Sequence, residues 1–271
     1  MQKYGQHFLV NQGIINKIVD ALVENVEGQI VEIGPGKGAL TKTIFERGLN
    51  NLTLIEIDPE MAAYLKNNLP TYADYKIIEA DFTKLDTARV LPSGPLTFIS
   101  NLPYIDAAEI LLKVLDIPSF KAAVFMFQRE QALKLIAKPE TKHYGPLSVI
   151  FQAYASAQQI ARVSPGSFNP PPKVDSEVLL IRPLQKPFFT SLKHKENFKQ
   201  VVKAVFGYRR KTVLNSLCEV YKKPKDDLIR ILNKSDIQAS ARPEEISPRK
   251  YAQLAANLEG CKTSKTYETL G

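Results

Sequence analysis

The 271-residue chain reads as a doubly wound α/β domain, built on a mostly parallel seven-stranded sheet and followed by a small C-terminal all-helical domain. Three observations lead there. Short β-rich apolar runs alternate with helix-period segments over residues 1–185, the pattern of strands covered by helices. A glycine-rich turn, Gly34-Pro35-Gly36-Lys37-Gly38, follows the first of those runs directly. Strand alternation then stops at Arg182-Pro183-Leu184-Gln185-Lys186-Pro187, where two prolines and a change of charge mark a domain boundary. The expected domains are therefore 1–185 and 186–271.

Taken in order, a leading helix at 14–25 precedes strands at 29–33, 52–56, 75–79, 96–100, 121–127, 147–154 and 177–182. Helices at 38–47, 59–68, 107–115 and 128–137 fall between them. The helix at 59–68 is entered through Asp58-Pro59, an N-cap followed by proline at the first helical position. Past the boundary, Phe198, Val201, Val202, Val205 and Phe206 recur at helical spacing, as do the apolar residues of 226–233 and 248–258. Residues 260–271 form a polar tail.

Composition narrows the function. A hydrophobic content of 44% supports a buried core and excludes disorder as the main state. Cys218 and Cys261 lack His or Cys neighbours at ligand spacing, and His7, His143 and His194 are scattered; no zinc or other metal site and no disulfide framework is expected. There is no apolar run of about 18 residues and no signal-peptide core, so the expected setting is the cytoplasm, away from membranes. The net charge of +8 is unevenly placed: residues 1–185 hold 18 basic and 19 acidic side chains, residues 186–271 hold 18 and 9. The last third is thus the part suited to a polyanion, although a solvated helical surface would carry the same charge.

The strand, glycine turn and helix start at 30–40 satisfy G-x-G-x-x-G/A with Ala39 in last place, which brings backbone close to a ligand. Glu56 ends the next strand about 20 residues later, where a carboxylate can accept both hydroxyls of a ribose. Asp81-Phe82 follows the third strand and offers an acceptor for an adenine amine beside an aromatic face, or else a local cap. These features suit NAD and S-adenosylmethionine alike.

Asn101-Leu102-Pro103-Tyr104 separates the two. It follows the fourth strand, at the carboxyl edge where ligands of open α/β sheets bind. An exocyclic adenine amine is a poor nucleophile because its lone pair is delocalised into the ring. The Asn101 side-chain oxygen and the Leu102 carbonyl can each accept one of its N–H groups, with Pro103 holding Leu102 extended. Tyr104 can stack on the base. Methyl transfer from a sulfonium then needs alignment and electrostatic preorganisation rather than a metal. Hydride transfer would need an acid–base pair that the chain does not offer convincingly. Phe168, in the proline-stiffened run Ser167 to Lys173, suits either stacking on an extruded base or core packing.

On these residues the chain resembles the KsgA-type ribosomal RNA adenine N6,N6-dimethyltransferase family, relatives of the macrolide-resistance methyltransferases and the mitochondrial transcription factor B proteins. The matching runs are Gly5-Gln6-His7-Phe8-Leu9, Glu32 to Gly36, Ile55 to Asp58, Asp81, Asn101 to Tyr104, Tyr144-Gly145, Phe168 to Ser176, and Arg209-Arg210-Lys211-Thr212. The resemblance implies an S-adenosylmethionine-dependent enzyme. His7 and Leu9 would close over the cofactor, Gly34 and Gly36 would approach its methionine part, Glu56 would take the ribose, and Asp81 with Phe82 its adenine. Asn101, Leu102, Pro103, Tyr104 and Phe168 would handle the target base, and Arg209, Arg210 and Lys211 the RNA. The family substrate is two adjacent adenines in the 3′-terminal hairpin loop of 16S rRNA, with the immature 30S subunit as partner and a single chain as the active form. A large-subunit methyltransferase of the resistance type shares the motifs, and an assembly factor occupying the immature subunit is compatible with them. Two features depart from the family pattern: no longer basic arm precedes Gly5, and Tyr208 stands where Gln is usual.

Overall fold

The computed structural model describes residues 6–261; Gly5 and residues 262–271 of the tail lie outside them. The described chain falls into two compact units, one taking in residues up to Ala132 with Ala157–Pro183, the other Leu133–Ser156 with residues from Leu184 onward.

The first unit carries a seven-stranded sheet: β1 (Gln29–Ile33), β2 (Leu52–Glu56), β3 (Tyr75–Glu79), β4 (Leu96–Asn101), β5 (Phe120–Gln128), β6 (Ala155–Val163) and β7 (Ser176–Pro183). Their order is β3-β2-β1-β4-β5-β7-β6. The first five run parallel and β7 is antiparallel to β5. Both faces are covered, which explains why the strands read as apolar runs rather than alternating ones. Ile30, Leu52, Leu54, Ile99, Val124, Met126, Val178 and Leu180 enter one core cluster with Ile15, Ile18 and Leu22 of α1 (Gln12–Val23) and Leu40 and Ile44 of α2 (Ala39–Glu46). Their strand neighbours Val31, Ile55, Phe98, Phe125 and Leu179 point the other way and are buried too. The strand order reverses between β1 and β4, which opens a crevice at their carboxyl ends.

Asn11 caps α1 by accepting the Ile14 N–H, and Asp58 caps α3 (Pro59–Asn68) by accepting that of Glu60. The short α4 (Thr87–Val90) and α5 (Ala107–Leu115) complete the connections before β5. After β5, α6 (Arg129–Ile136) leads to α7 (Pro146–Tyr154). That last helix occupies the segment expected to be the sixth strand. Ser148, Val149, Ile150, Phe151, Ala153 and Tyr154 are all buried, so the apolar run shows no helical stripe and cannot be told from a buried strand by period. The actual strand, β6, lies one step later. It is a sheet edge with exposed residues such as Gln158 and Gln159, too polar to stand out.

The second unit is helical, with α8 (Leu192–Phe206), α9 (Val213–Val220), α10 (Lys225–Lys234) and α11 (Pro248–Asn257). The sequence did not mark α9. Phe189 packs on Tyr154 and Phe198, and Phe206 stacks on Tyr251. The segment Leu133–Ser156, expected in the first domain, groups here instead because α7 packs on α8 and α11. Tyr144 reinforces this: it is 1% exposed, and its hydroxyl donates to the Ile246 carbonyl at 2.8 Å.

Candidate active site

The crevice at the carboxyl ends of β1, β2 and β4 contains a cavity of about 210 Å³. Its walls are the glycine turn, Glu32, Glu56 and Ile57, the Asn101–Tyr104 turn, and the segment Gln6–Val10. Every wall residue lies in the first unit.

The glycine turn needs its glycines. Gly34 and Gly36 have φ of +64° and +54°, a region that side chains with a Cβ seldom adopt. A Cβ on Gly34 would meet no protein atom within 4 Å, leaving the adjoining space open to a ligand, whereas one on Gly36 would approach Phe8 Cε1 at 3.1 Å. Glu56 braces the same turn. It is 2% exposed, one carboxylate oxygen accepts the Gly36 N–H and the other the Asp58 N–H, each at 2.9 Å. Burial raises its pKa, opposed by those two donors.

Glu32 is a wall residue that sequence reasoning did not assign a role. It is 1% exposed, accepts the Thr41 hydroxyl at 2.6 Å, and its pKa is pushed up to about 8, chiefly by burial and further by the charge of Glu56. The available signal was an acid inside the apolar strand Gln29–Ile33, since burying a carboxylate is costly unless something requires it.

The Asn101 side-chain nitrogen donates to the His7 carbonyl at 3.0 Å. Only the amide nitrogen can donate, so this bond fixes the flip and commits the side-chain oxygen to an acceptor role. The Leu102 N–H donates to the Met126 carbonyl at 3.2 Å, fixing the peptide between Asn101 and Leu102. The Tyr104 hydroxyl meets the Ser176 hydroxyl at 2.8 Å, and its ring lies 5.8 Å from that of His7, tilted by 31°. Partial burial raises the Tyr104 phenol pKa.

Residues 6–11 form a strap. Phe8 and Leu9 pair antiparallel with Asn169 and Phe168, Val10 and Asn11 donate to the Ser167 carbonyl, and Gln6 donates to Asp58 at 3.1 Å. Gln6 and Phe8 thus join His7 and Leu9 in the wall. Phe168, by contrast, is 4% exposed within the core cluster, does not line the cavity, and is packed in this conformation. Asp81 and Phe82 also stand outside the wall. One Asp81 oxygen accepts both donors of Thr83, the other pairs with Lys84 at 3.1 Å, and the Thr83 bond leads in lowering its pKa. Phe82 is buried edge-on against Phe98. In the second unit, Arg209, Arg210 and Lys211 are exposed between α8 and α9, and Lys211 pairs with Glu219. Among the described residues, no cluster of His, Cys, Asp and Glu could hold a metal, and no helix is long and apolar enough to cross a membrane.

Residues 1–257 match the family model described as ribosomal RNA adenine dimethylase. The chain is 36% identical over 261 residues to the ribosomal RNA small subunit methyltransferase A of Phytoplasma australiense, covering 94% of this chain and 90% of that one. Among solved structures it is similar to a dimethyladenosine transferase from Plasmodium falciparum, with a TM-score of 0.78, 26% identity, and coverage of 93% and 97%. It is also similar to the 23S rRNA methyltransferase ErmE, with a TM-score of 0.70, 25% identity, and coverage of 93% and 99%. The chain belongs to the ribosomal RNA adenine dimethylase family and is an S-adenosylmethionine-dependent rRNA adenine methyltransferase.

Proposed function

We propose that this enzyme dimethylates N6 of two adjacent adenines in the 3′-terminal hairpin loop of 16S rRNA, acting on the immature 30S subunit as a single chain during small-subunit assembly. The observation that carries the chemistry is the Asn101 amide, whose donated bond to His7 leaves its oxygen to accept from the target amine. The curated relatives, named for the small subunit, support the choice of rRNA. Mass spectrometry of both rRNAs from cells with and without the gene tests the substrate. Loss of dimethyladenosine near the 3′ end of 16S rRNA is expected, and loss from 23S rRNA alone would overturn the assignment.

The cavity fits S-adenosylmethionine, because the open side of Gly34, the carboxylate of Glu56 and the acidic Glu32 suit a ligand bearing a ribose and positive charge. When bound, that cofactor supplies an electrophilic methyl group. Gly34, Gly36 and Glu56 would hold it beneath the His7–Leu9 strap, and Asp81, at the carboxyl end of β3 beside the strand of Glu56, would extend the site toward its adenine. Asn101 and Leu102 accept the target N–H groups, drawing the nitrogen toward tetrahedral geometry, while Tyr104 stacks on the base and Phe168 backs the strap from the core.

Glu32 makes cofactor affinity depend on pH. With a pKa near 8 it is a neutral acid at neutral pH, and a cationic ligand favours its carboxylate, so binding releases a proton. Calorimetric affinity should therefore rise with pH toward about 8 and then level off. Glu32→Gln should flatten the profile, and a flat wild-type profile would refute the coupling. Stability of the free protein moves oppositely. The folded chain retains a proton that the unfolded chain gives up above 4.5, so this group's contribution falls between pH 4.5 and about 8.

RNA affinity is assigned to the basic helical region. Neutralising Arg209, Arg210 and Lys211 together should weaken RNA binding and lower the slope of log K against log salt by about two, since each phosphate contact contributes roughly 0.7–0.9 and Lys211 already pairs with Glu219. An unchanged slope would assign these side chains to helix packing.

A further inference from the structure

Phe168, suited by its sequence to stacking or to core packing, is packed in the core, and the ring that meets Tyr104 is His7. Both of these rings are tied to one loop. The His7 Nδ1 meets the Pro170 carbonyl at 2.8 Å, at the start of the run Pro170–Asp175, and the Tyr104 hydroxyl meets the Ser176 hydroxyl at 2.8 Å, at its end. The loop is itself braced: Asp175 forms an ion pair with Arg162, and its carbonyl accepts the Arg129 N–H at 2.9 Å.

Tyr104 needs such an anchor. It sits in the turn between β4 and α5, outside any helix or strand, with exposed neighbours Pro103 and Ile105. Nothing in that turn's own backbone holds the ring at one angle. Ser176 is the opposite case, being fully buried at the first residue of β7, in register with Gln128. A hydroxyl on a rigid strand therefore fixes the far end of a side chain that a turn leaves free.

We infer that Ser176 is a positioning residue for base recognition: its hydroxyl sets the ring plane of Tyr104 so that the target adenine is received at one angle beside Asn101. The inference rests on the reading of the substrate as an rRNA adenine. It concerns Tyr104 orientation, because Tyr104 lines the cavity while Ser176 stands outside its wall and reaches the site through the Tyr104 hydroxyl.

The test is a double-mutant cycle in single-turnover methyl transfer, with wild type, Ser176→Ala, Tyr104→Phe and the double variant on the same RNA. Tyr104→Phe keeps the ring and removes the same bond from the other side, so it answers even where Ser176→Ala folds poorly. Each single variant is expected to slow transfer by about 3–10-fold, the scale of one net hydrogen bond, with RNA affinity within about twofold. The double variant should be no slower than Tyr104→Phe alone. Bound RNA carrying 2-aminopurine at the target position supplies a readout independent of turnover, and both single variants should give longer fluorescence lifetimes as the stack loosens. Effects that multiply, a wild-type rate for Tyr104→Phe, or unchanged lifetimes would overturn the positioning role. Failure of the wild type to modify any rRNA adenine would overturn the substrate assignment, and this inference with it.

Discussion

Asn101→Ala is expected to lower kcat for methyl transfer by about 10²–10³ while weakening RNA binding far less, the cost of removing one preorganised hydrogen-bonding group from an active site. As the target amine leaves the ring plane, the bond to the Asn101 oxygen strengthens, so its contribution belongs mainly to the transition state. The structure adds a second consequence. The Asn101 nitrogen donates to the His7 carbonyl and so helps fasten the strap over the cavity. Alanine removes both functions, and cofactor affinity should fall by about 3–10-fold as well, the effect of one hydrogen bond. Asn101→Asp separates them, because it keeps an acceptor but cannot donate to His7. Its cofactor affinity should fall at least as far as that of the alanine variant, while its transfer rate stays above it. Residual activity of Asn101→Ala above one tenth of wild type would sink the acceptor role. Monomethylated RNA refines the result: one N–H remains, so the second transfer should differ from the first in its sensitivity to the substitution. Equal sensitivity would mean that Asn101 mainly shapes the cavity.

What was legible in the sequence follows from how local each signal is. The strands at 29–33, 52–56 and 75–79 and the helices at 59–68 and 107–115 coincide with the structure, because β-branched runs and a capping Asp58 act within a few residues. The glycine turn, Glu56 and Asn101–Tyr104 were legible for the same reason, since they sit where strands end and the sheet order reverses. The misassigned strand at 147–154 had a local helix-start signal in Pro146 after Gly145, but no apolar stripe to support it, as its burial comes from α8 and α11, far along the chain. The same non-locality hid the domain membership of Leu133–Ser156, which depends on partners such as Ile246 for Tyr144. It also hid the strap. That Gln6 reaches Asp58, that His7 meets both Asn101 and Pro170, and that Phe168 is packed behind Leu9 are properties of segments more than fifty residues apart. Motif position marked residues that line the cavity, whereas tertiary pairing decided which side chains face into it.

Glu56→Ala should raise the dissociation constant for S-adenosylmethionine by about 10–100-fold, corresponding to roughly 1–3 kcal/mol for a hydrogen bond to a charged group. Two effects combine. The carboxylate is the acceptor expected to meet the ribose, and it also holds the glycine turn by accepting the Gly36 N–H while its other oxygen accepts that of Asp58. Alanine leaves both N–H groups without that partner, so the turn that must approach the ligand loses its brace. Glu56→Gln discriminates between the parts. Its oxygen can replace one acceptor, but its NH₂ would face the second N–H, so it should recover part of the turn and only part of the affinity. Calorimetry gives the constants directly. Thermal shift supplies the control, because a ligand that binds only the folded state stabilises it according to its concentration relative to Kd. S-adenosylmethionine should raise the Tm of wild type, Glu56→Gln and Glu56→Ala in that descending order, and NAD should raise none of them. Unchanged affinity in Glu56→Ala would refute the ribose assignment. Equal losses in the Gln and Ala variants would show that one restored acceptor recovers no affinity, placing the effect on the full carboxylate.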